Sequence, residues 1–328
     1  MINMKRMLAT ILSVICILLC SSVCFSEVCL WDIGNNENNQ YAIMGKEIGA
    51  NETRIYEENR YMIDSDLTGG VCYVDCDTNL DGSYAIGFTN GIDSTTIDIL
   101  FGEGIQHVYA IRKEYIYYSV ISKDGSYRLK RKSRDGIEEE YDLSFFYGNE
   151  PLSISDQGFV YFDGTLYMPE SKEVICVRDY LPEGVRMWSE SLSAATWIDD
   201  ETLLFWAEDQ RESPFTIYNW LALTSAESYL FGFDVIEKTV KPITTVSGMR
   251  IHIPYDVINV DMNVYAGKMI ITCAGRKCDN YVPDGYYPPG ICNVGEILMI
   301  DMSTGSYDSV LSIDRDTPYC IKGRIMVF

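Results

Sequence analysis

Along the chain, apolar residues come in short runs of four to eight, rich in Val, Ile, Tyr and Phe and separated by Gly, Asp and Asn. Beyond residue 26 no segment sustains the 3.6-residue period of a long amphipathic helix, so the runs read as strands. Explicit turn signals punctuate them: "LDGSY" at 80, "KDGSY" at 123, "RDGIE" at 134, "FDGTL" at 162 and "STGSY" at 303. Asp-Gly between apolar runs predicts β-hairpins, here through type I′ turns whose two central residues both take φ > 0. The pattern predicts an all-β, mostly antiparallel chain.

The strands fall into a repeating order. "IQHVYAI", "EYIYYSVI", "SYRLKRKS" and "GIEEEYDL" follow one another from residue 105. A second set is "SAATWID", "TLLFWAE", "ESYLFGFD" and "TVKPITTV" (193 to 246), and a third is "YDVINVD", "KMIITCA", "EILMID" and "SYDSVLSI" (255 to 313). Four strands in about forty to fifty residues is the period of a propeller blade. A single β-propeller over residues 27–328 is expected, with six blades and seven as the alternative.

The segment "EYIYYSVISKDGSYRLKRKSRDGIEEEYDL" resembles the bacterial extracellular β-propeller repeats related to the TolB-like and YWTD-type families. The resemblance implies that "IYY" lies on the inner part of a blade and that "DGSYRLKR" makes the next hairpin. "YLFGFDVIEKTVKPITTV" and "EILMIDMSTGSYDSVLSI" are similar to its third and fourth strands, although no YWTD tetrapeptide occurs.

The two ends look complementary. "TPYCIKGRIMVF" reads as the first two strands of a blade and "EVCLWDIGNNENNQYAIMGKEI" as the missing pair, so N- and C-terminal strands are expected to close the ring in one blade. Cys29 and Cys320 would share that blade and are a disulfide candidate.

Residues 1–26 read as a secretory signal peptide: Lys5 and Arg6 precede an apolar stretch, Met7 to Leu19, too short to span a bilayer comfortably, and small residues follow up to Ser26. The chain carries 26 basic and 48 acidic residues, a net charge of −22; cleavage removes two basic residues and no acid, giving −24. Such a field repels nucleic acid and anionic lipid at long range. The expectation is a secreted or cell-envelope protein with no nucleic-acid partner and no membrane span after cleavage.

Eight of the eleven cysteines follow residue 26, an even number behind a secretory signal, which suits disulfides. Cys278 and Cys292 would close the loop "DNYVPDGYYPPGI". With only two histidines, and no fourth ligand near Cys273, Cys278 and Cys292, a zinc site is hard to build. "DTNLDG" (77–82) places side-chain oxygens of Asp77, Asn79 and Asp81 at alternating positions before a glycine, a pattern suited to calcium, with Asp75 beside it. Ala85 and Phe88 occupy positions where calcium loops carry further ligands, so a plain Asp-Gly hairpin is the competing reading. No other cofactor is indicated.

Catalytic signals are poor. There is no G-x-S-x-G elbow, and His107 and His252 read as strand residues, His252 lying nearer a loop. Asp199, Asp200, Glu201 and Glu208 flank "LLFWA" and are the carboxylates a propeller glycosidase would draw on, though "IDDETLLF" is also an ordinary hairpin turn. Two insertions stand out: 209–226, with Tyr218 and Trp220, and 275–294, with Tyr281, Tyr286 and Tyr287. Aromatic loops on a rigid ring suit binding. The expected function is therefore a non-catalytic propeller that binds a protein or glycan partner through these five residues; a polysaccharide-active glycosidase or lyase is the alternative.

Overall fold

The computed structural model describes residues 28–35, 40–58, 60–65, 71–75, 84–89, 94–100, 104–141, 143, 152–162, 164–187, 195–209, 211, 228–252, 258–274, 296–312 and 320–327. Neighbouring strands within each sheet pair antiparallel. β1 (Val28–Asn35), β2 (Gln40–Glu47) and β3 (Thr53–Glu58) come first, then a sheet of β4 (Arg60–Ser65), β5 (Val71–Asp75), β6 (Tyr84–Thr89) and β7 (Ser94–Leu100). β8 (Ile105–Arg112), β9 (Tyr115–Ile121), β10 (Tyr127–Ser133) and β11 (Glu138–Tyr141) make the next. It is followed by the short β12 (Ser153–Ile154), β13 (Val160–Phe162), β14 (Thr165–Met168) and β15 (Glu173–Cys176). After a 3₁₀ turn at Val177–Tyr180, β16 (Val185–Met187) and β17 (Ala195–Trp197) both pair with β18 (Thr202–Asp209), which continues to β19 (Ser228–Asp234) and β20 (Thr239–Pro242). β21 (Ile258–Tyr265), β22 (Lys268–Ala274), β23 (Glu296–Asp301) and β24 (Tyr307–Ser312) form the last consecutive sheet. β25 (Cys320–Val327) then pairs with β1, giving the order β25-β1-β2-β3.

Each sheet buries its apolar faces against its neighbours. Ile63, Ile86 and Leu100 meet Val108, Ile116 and Tyr118; Tyr117, Leu129 and Tyr141 meet Val160 and Tyr167. Leu166 and Ile175 meet Phe205 and Phe231, and on the other face of β18 Leu204 and Trp206 meet Met269 and Leu298. Cys29 packs with Ile270, Ile297 and Val310, where Lys46 Nζ also donates to the carbonyl of Val310 at 2.7 Å. A strand with side chains alternating between two apolar neighbours must be apolar on both faces, which is why "LLFWA" in β18 is an unbroken buried run. The fold is an all-β, single β-propeller.

Three expectations change. Five blades, β4 to β24, are continuous in the chain, against the six or seven expected; the remaining sheet is assembled from both ends of the described chain. That sheet takes three strands from the N-terminal side and one from the C-terminal side, not two and two, because "KGRIM" continues one long strand instead of turning. The register also excludes the Cys29–Cys320 disulfide. Cys29 faces Val327 while Cys320 faces Gly34, an offset of five residues along β1. Five residues of strand span roughly 16 Å, whereas bridged Cα atoms lie within about 7 Å. Cys29 is a buried free thiol. Cys278 and Cys292 lie outside the described residues.

The Asp-Gly turns also differ from the type I′ expectation. At Ser122–Ser126 and Ser133–Ile137 only the glycine has positive φ (Gly125, +82°; Gly136, +82°), and its N–H bonds back to the residue three before it. These are type I turns followed by a left-handed glycine. Among the described residues, Ala266-Gly267 is a two-residue hairpin loop with both φ values positive, and it carries no aspartate.

The basic run of β10 lies beside the acidic run of β11. Lys130, Arg131 and Lys132 stand opposite Glu140, Glu139 and Glu138 of β11, with ion pairs Arg128–Glu140 (3.4 Å), Lys130–Glu138 (3.7 Å) and Arg131–Glu139 (2.6 Å). These ion pairs lie within one blade.

Candidate functional site

Side-chain chemistry is most concentrated at the end of β18, where the 210–227 segment begins. "LLFWAE" carries β18 through the core, and the next residue, Asp209, ends the strand fully buried. A buried carboxylate must be hydrogen-bonded and paired. Arg211 donates to its Oδ1 from the backbone N–H (3.1 Å) and Nε (2.8 Å), and to Oδ2 from Nη2 (2.7 Å). Arg250 donates from Nη1 to the same Oδ2, also at 2.7 Å. The hydrogen bonds from Arg211, aided by Arg250, hold the Asp209 carboxyl well below the usual range, against the opposing effect of burial.

Arg250 is itself held by aromatic faces. Its guanidinium carbon lies 4.0 Å from the centroid of Tyr229 and 5.1 Å from that of Phe231, a cation–π arrangement on β19. His252 forms an isolated β-bridge with Tyr229, and their rings are 6.3 Å apart. Gly184, at φ +82°, admits the Arg211 side chain: a Cβ there would stand 3.0 Å from Arg211 Cγ. Two distant stretches of sequence thus converge on one carboxylate, with Arg250 mostly buried and the Arg211 side chain 55% exposed.

A second cluster joins the β8–β11 and β12–β15 sheets. Arg131 lies 4.4 Å from the Tyr115 centroid, Tyr117 and Tyr141 meet edge-on at 6.0 Å, and Tyr141 donates to the Gly158 carbonyl at 3.4 Å. Gly158 has φ +81°, and a Cβ there would sit 2.8 Å from the Tyr117 hydroxyl. These side chains are buried among one another, an arrangement that locks the two sheets together.

The sequence-predicted sites fall differently. Tyr218, Trp220, Tyr281, Tyr286 and Tyr287, and the calcium candidates Asp77, Asn79 and Asp81, lie outside the described residues. No cluster of three or more metal-ligating side chains occurs among the described residues. His107 is an exposed strand residue 5.2 Å from the Tyr109 ring, as expected. The acids around "LLFWA" do not converge: Asp199 caps the turn by accepting the N–H groups of Glu201 (2.9 Å) and Thr202 (2.6 Å), while Glu208 lies at the far end of β18, roughly 20 Å of strand away. Burial pushes the Glu208 carboxyl up, against the pull of Arg186 opposite it. Sequence reasoning misses the Asp209–Arg211–Arg250 cluster; its one local signal is an aspartate closing an apolar run two residues before an arginine.

No protein-family model matches this chain, and no curated protein matches it in sequence. Among solved structures it is similar to the putative TolB from Agrobacterium tumefaciens, with a TM-score of 0.46 and 10% identity over 92% of this chain and 99% of that one. It is also similar to the BP39L lectin from Burkholderia pseudomallei (TM-score 0.44, 10% identity, 88% and 81% covered). The β-propeller domain of the Trilobed protease from Pyrococcus furiosus gives a TM-score of 0.39 at 13% identity, over 88% and 83%. These similarities bring neither activity nor partner to this chain.

Proposed function

We propose that this chain is a secreted or cell-envelope binding propeller of the TolB-like or YWTD-type kind that its sequence resembles, catalysing nothing and holding a protein or glycan partner. The carrying observation is topological. The 210–227 segment joins β18 to β19 and the 275–295 segment joins β22 to β23, the same second-to-third-strand position in two sheets that pack directly on each other. The reading assigns binding to the aromatic residues of these two connections, Tyr218 and Trp220 in the first and Tyr281, Tyr286 and Tyr287 in the second. Aromatic side chains on a rigid frame give large contact area at small entropic cost. The separation of Asp199 from Glu208 favours binding over the polysaccharide-active alternative, whose two carboxyl groups must stand within about 10 Å.

The reading includes closure of the ring by the β25-β1-β2-β3 sheet, which joins the two ends of the described chain. It is supported by β25 lying against both β21 and β4, and β17 lying against both β12 and β21. It also includes cleavage after residue 26. The test is a glycan array and a pull-down on the secreted chain, run beside a hydrolase and lyase substrate panel. Retention of one partner, lost in a variant with Tyr218, Trp220, Tyr281, Tyr286 and Tyr287 all replaced by Ala, is the expected result. Turnover of a polysaccharide would overturn it.

A further inference from the structure

The amino-acid sequence holds one Asn-x-Ser/Thr triplet whose middle residue is not proline, Asn51-Glu52-Thr53. This is the acceptor pattern for N-linked glycosylation, which attaches a bulky, hydrated sugar and is therefore accommodated only on the surface of a secreted chain. The structure puts the triplet on such a surface. β2 ends at Glu47, the N–H of Ala50 returns to the Glu47 carbonyl at 3.0 Å, and β3 begins at Thr53. Asn51, Glu52 and Thr53 are all exposed.

The turn has room for a large substituent. A Cβ built on Gly49, at φ +89°, would meet nothing within 4 Å. Among the described residues no hydrogen bond engages the Asn51 side-chain amide, so attaching a sugar there breaks no contact of the fold. β3 is the outermost strand of the β25-β1-β2-β3 sheet, which sets the turn on its outer side. Successive turns of an antiparallel sheet alternate between its two ends. The β2–β3 turn joins third to fourth strand, so it emerges at the opposite end of its sheet from a second-to-third connection, the kind to which 210–227 and 275–295 belong.

We propose that Asn51 is an N-glycosylation site, with a polyprenyl-pyrophosphate-linked oligosaccharide as the sugar donor. Asn51 Nδ2 attacks C1 of the first sugar. The N–C1 bond forms as the bond from C1 to the phosphate oxygen breaks, polyprenyl pyrophosphate leaves, and Nδ2 gives up one proton. The exchange needs no oxidant or reductant. Thr53 supplies the hydroxyl that the acceptor triplet requires two residues on. The proposal rests on the reading of the chain as secreted and adds to it a modification at a turn remote in sequence from the aromatic connections.

The test is mass spectrometry of the full chain isolated from its native cells, with the peptide spanning Asn51 analysed before and after treatment with a peptide-N-glycosidase. A sugar on Asn51 is the expected result, lost completely in Asn51→Gln and in Thr53→Ala and kept in Thr53→Ser, which retains the hydroxyl. A bare Asn51 in the wild-type chain, or a sugar that survives Thr53→Ala, would overturn the site, and the wild-type peptide decides even if a variant does not fold. N-terminal sequencing of the same sample separates this proposal from the reading beneath it. A chain outside the cytosol that lacks residues 1–26 and carries a bare Asn51 overturns the site and leaves secretion standing. A cytosolic chain that keeps residues 1–26 overturns both.

Discussion

Arg131 of β10 and Glu139 of β11 stand directly opposite each other, with Nη2 2.6 Å from Oε2 and Nε donating to the same oxygen at 2.8 Å. The pair is unequal. Glu139 is about half exposed, while Arg131 is mostly covered by Tyr115 and Tyr141. Half-exposed ion pairs contribute about 0.5 kcal/mol, and an arginine laid on aromatic rings adds packing and cation–π terms of about 1 kcal/mol. Glu139→Gln should therefore cost about 0.5 kcal/mol and Arg131→Ala about 2 kcal/mol in urea unfolding. Equal losses would show that the charge pair, not the stacking, is what matters.

Asp209→Asn should be the more damaging change. It leaves the mostly buried Arg250 without its carboxylate, and breaking a buried pair typically costs about 3–5 kcal/mol. Arg211→Gln removes two charge-assisted hydrogen bonds from the same carboxylate but leaves Arg250 as its counter-ion, so it should cost less, about 1.5–3 kcal/mol. Chemical denaturation of the two variants checks the order.

The same carboxylate sets an acid limb. Because its folded pKa is depressed, the stabilisation from Asp209 is fully present above the ordinary aspartate value of about 3.9 and is lost as pH falls below it towards the folded value. Wild type should lose stability between about pH 4 and pH 2 more steeply than Asp209→Asn. Parallel pH–stability curves for the two would contradict this.

Glycines of the same φ should differ in tolerance. At Gly125 (+82°) a methyl group would stand in open space, so Gly125→Ala carries only the left-handed backbone cost of about 1 kcal/mol. At Gly158 (+81°) the added carbon would also meet the Tyr117 hydroxyl at 2.8 Å and the Tyr141 hydroxyl at 3.1 Å. Gly158→Ala should cost about 2 kcal/mol more than Gly125→Ala, since overpacking a filled contact adds about 1–3 kcal/mol. Paired melts of the two variants measure the difference.

Two free thiols among the described residues, Cys29 and Cys176, should separate cleanly. Cys29 is fully buried and burial pushes its pKa up to about 12, only partly offset by Lys46, whereas Cys176 is exposed at the end of β15. The thiolate is the reactive form, so alkylation of the native protein at pH 8 should label Cys176 and reach Cys29 only after unfolding. Mass spectrometry of the labelled peptides reads both sites.

What the sequence makes legible follows from strand length. β8 to β11, β17 to β20 and β21 to β24 coincide with the runs read from alternation and turn residues, because most of these strands are long enough to show a pattern. The β12–β15 sheet gives no blade signal in the sequence: its strands have two to four residues, too few for periodicity to register. Asp124-Gly125 and Asp135-Gly136 mark turns as expected but not with the expected geometry, since a left-handed glycine alone satisfies a three-residue loop. The site at Asp209 is hidden for a different reason. Arg250 and Gly184 are distant in the chain, and only the return of the hairpin after β20 beside β19 brings Arg250 to the carboxylate.

The pairing of β1 with β25 spans nearly the whole described chain. Joining such remote segments carries the largest loop-closure entropy in the molecule, and contacts of that kind form late and slow folding. Until β25 arrives, β1 presents an open row of backbone donors and acceptors, which the β25 of a second copy matches as well as its own. At high concentration the refolding chain should therefore partition between monomers and strand-exchanged dimers, and dilution during refolding should favour the monomer.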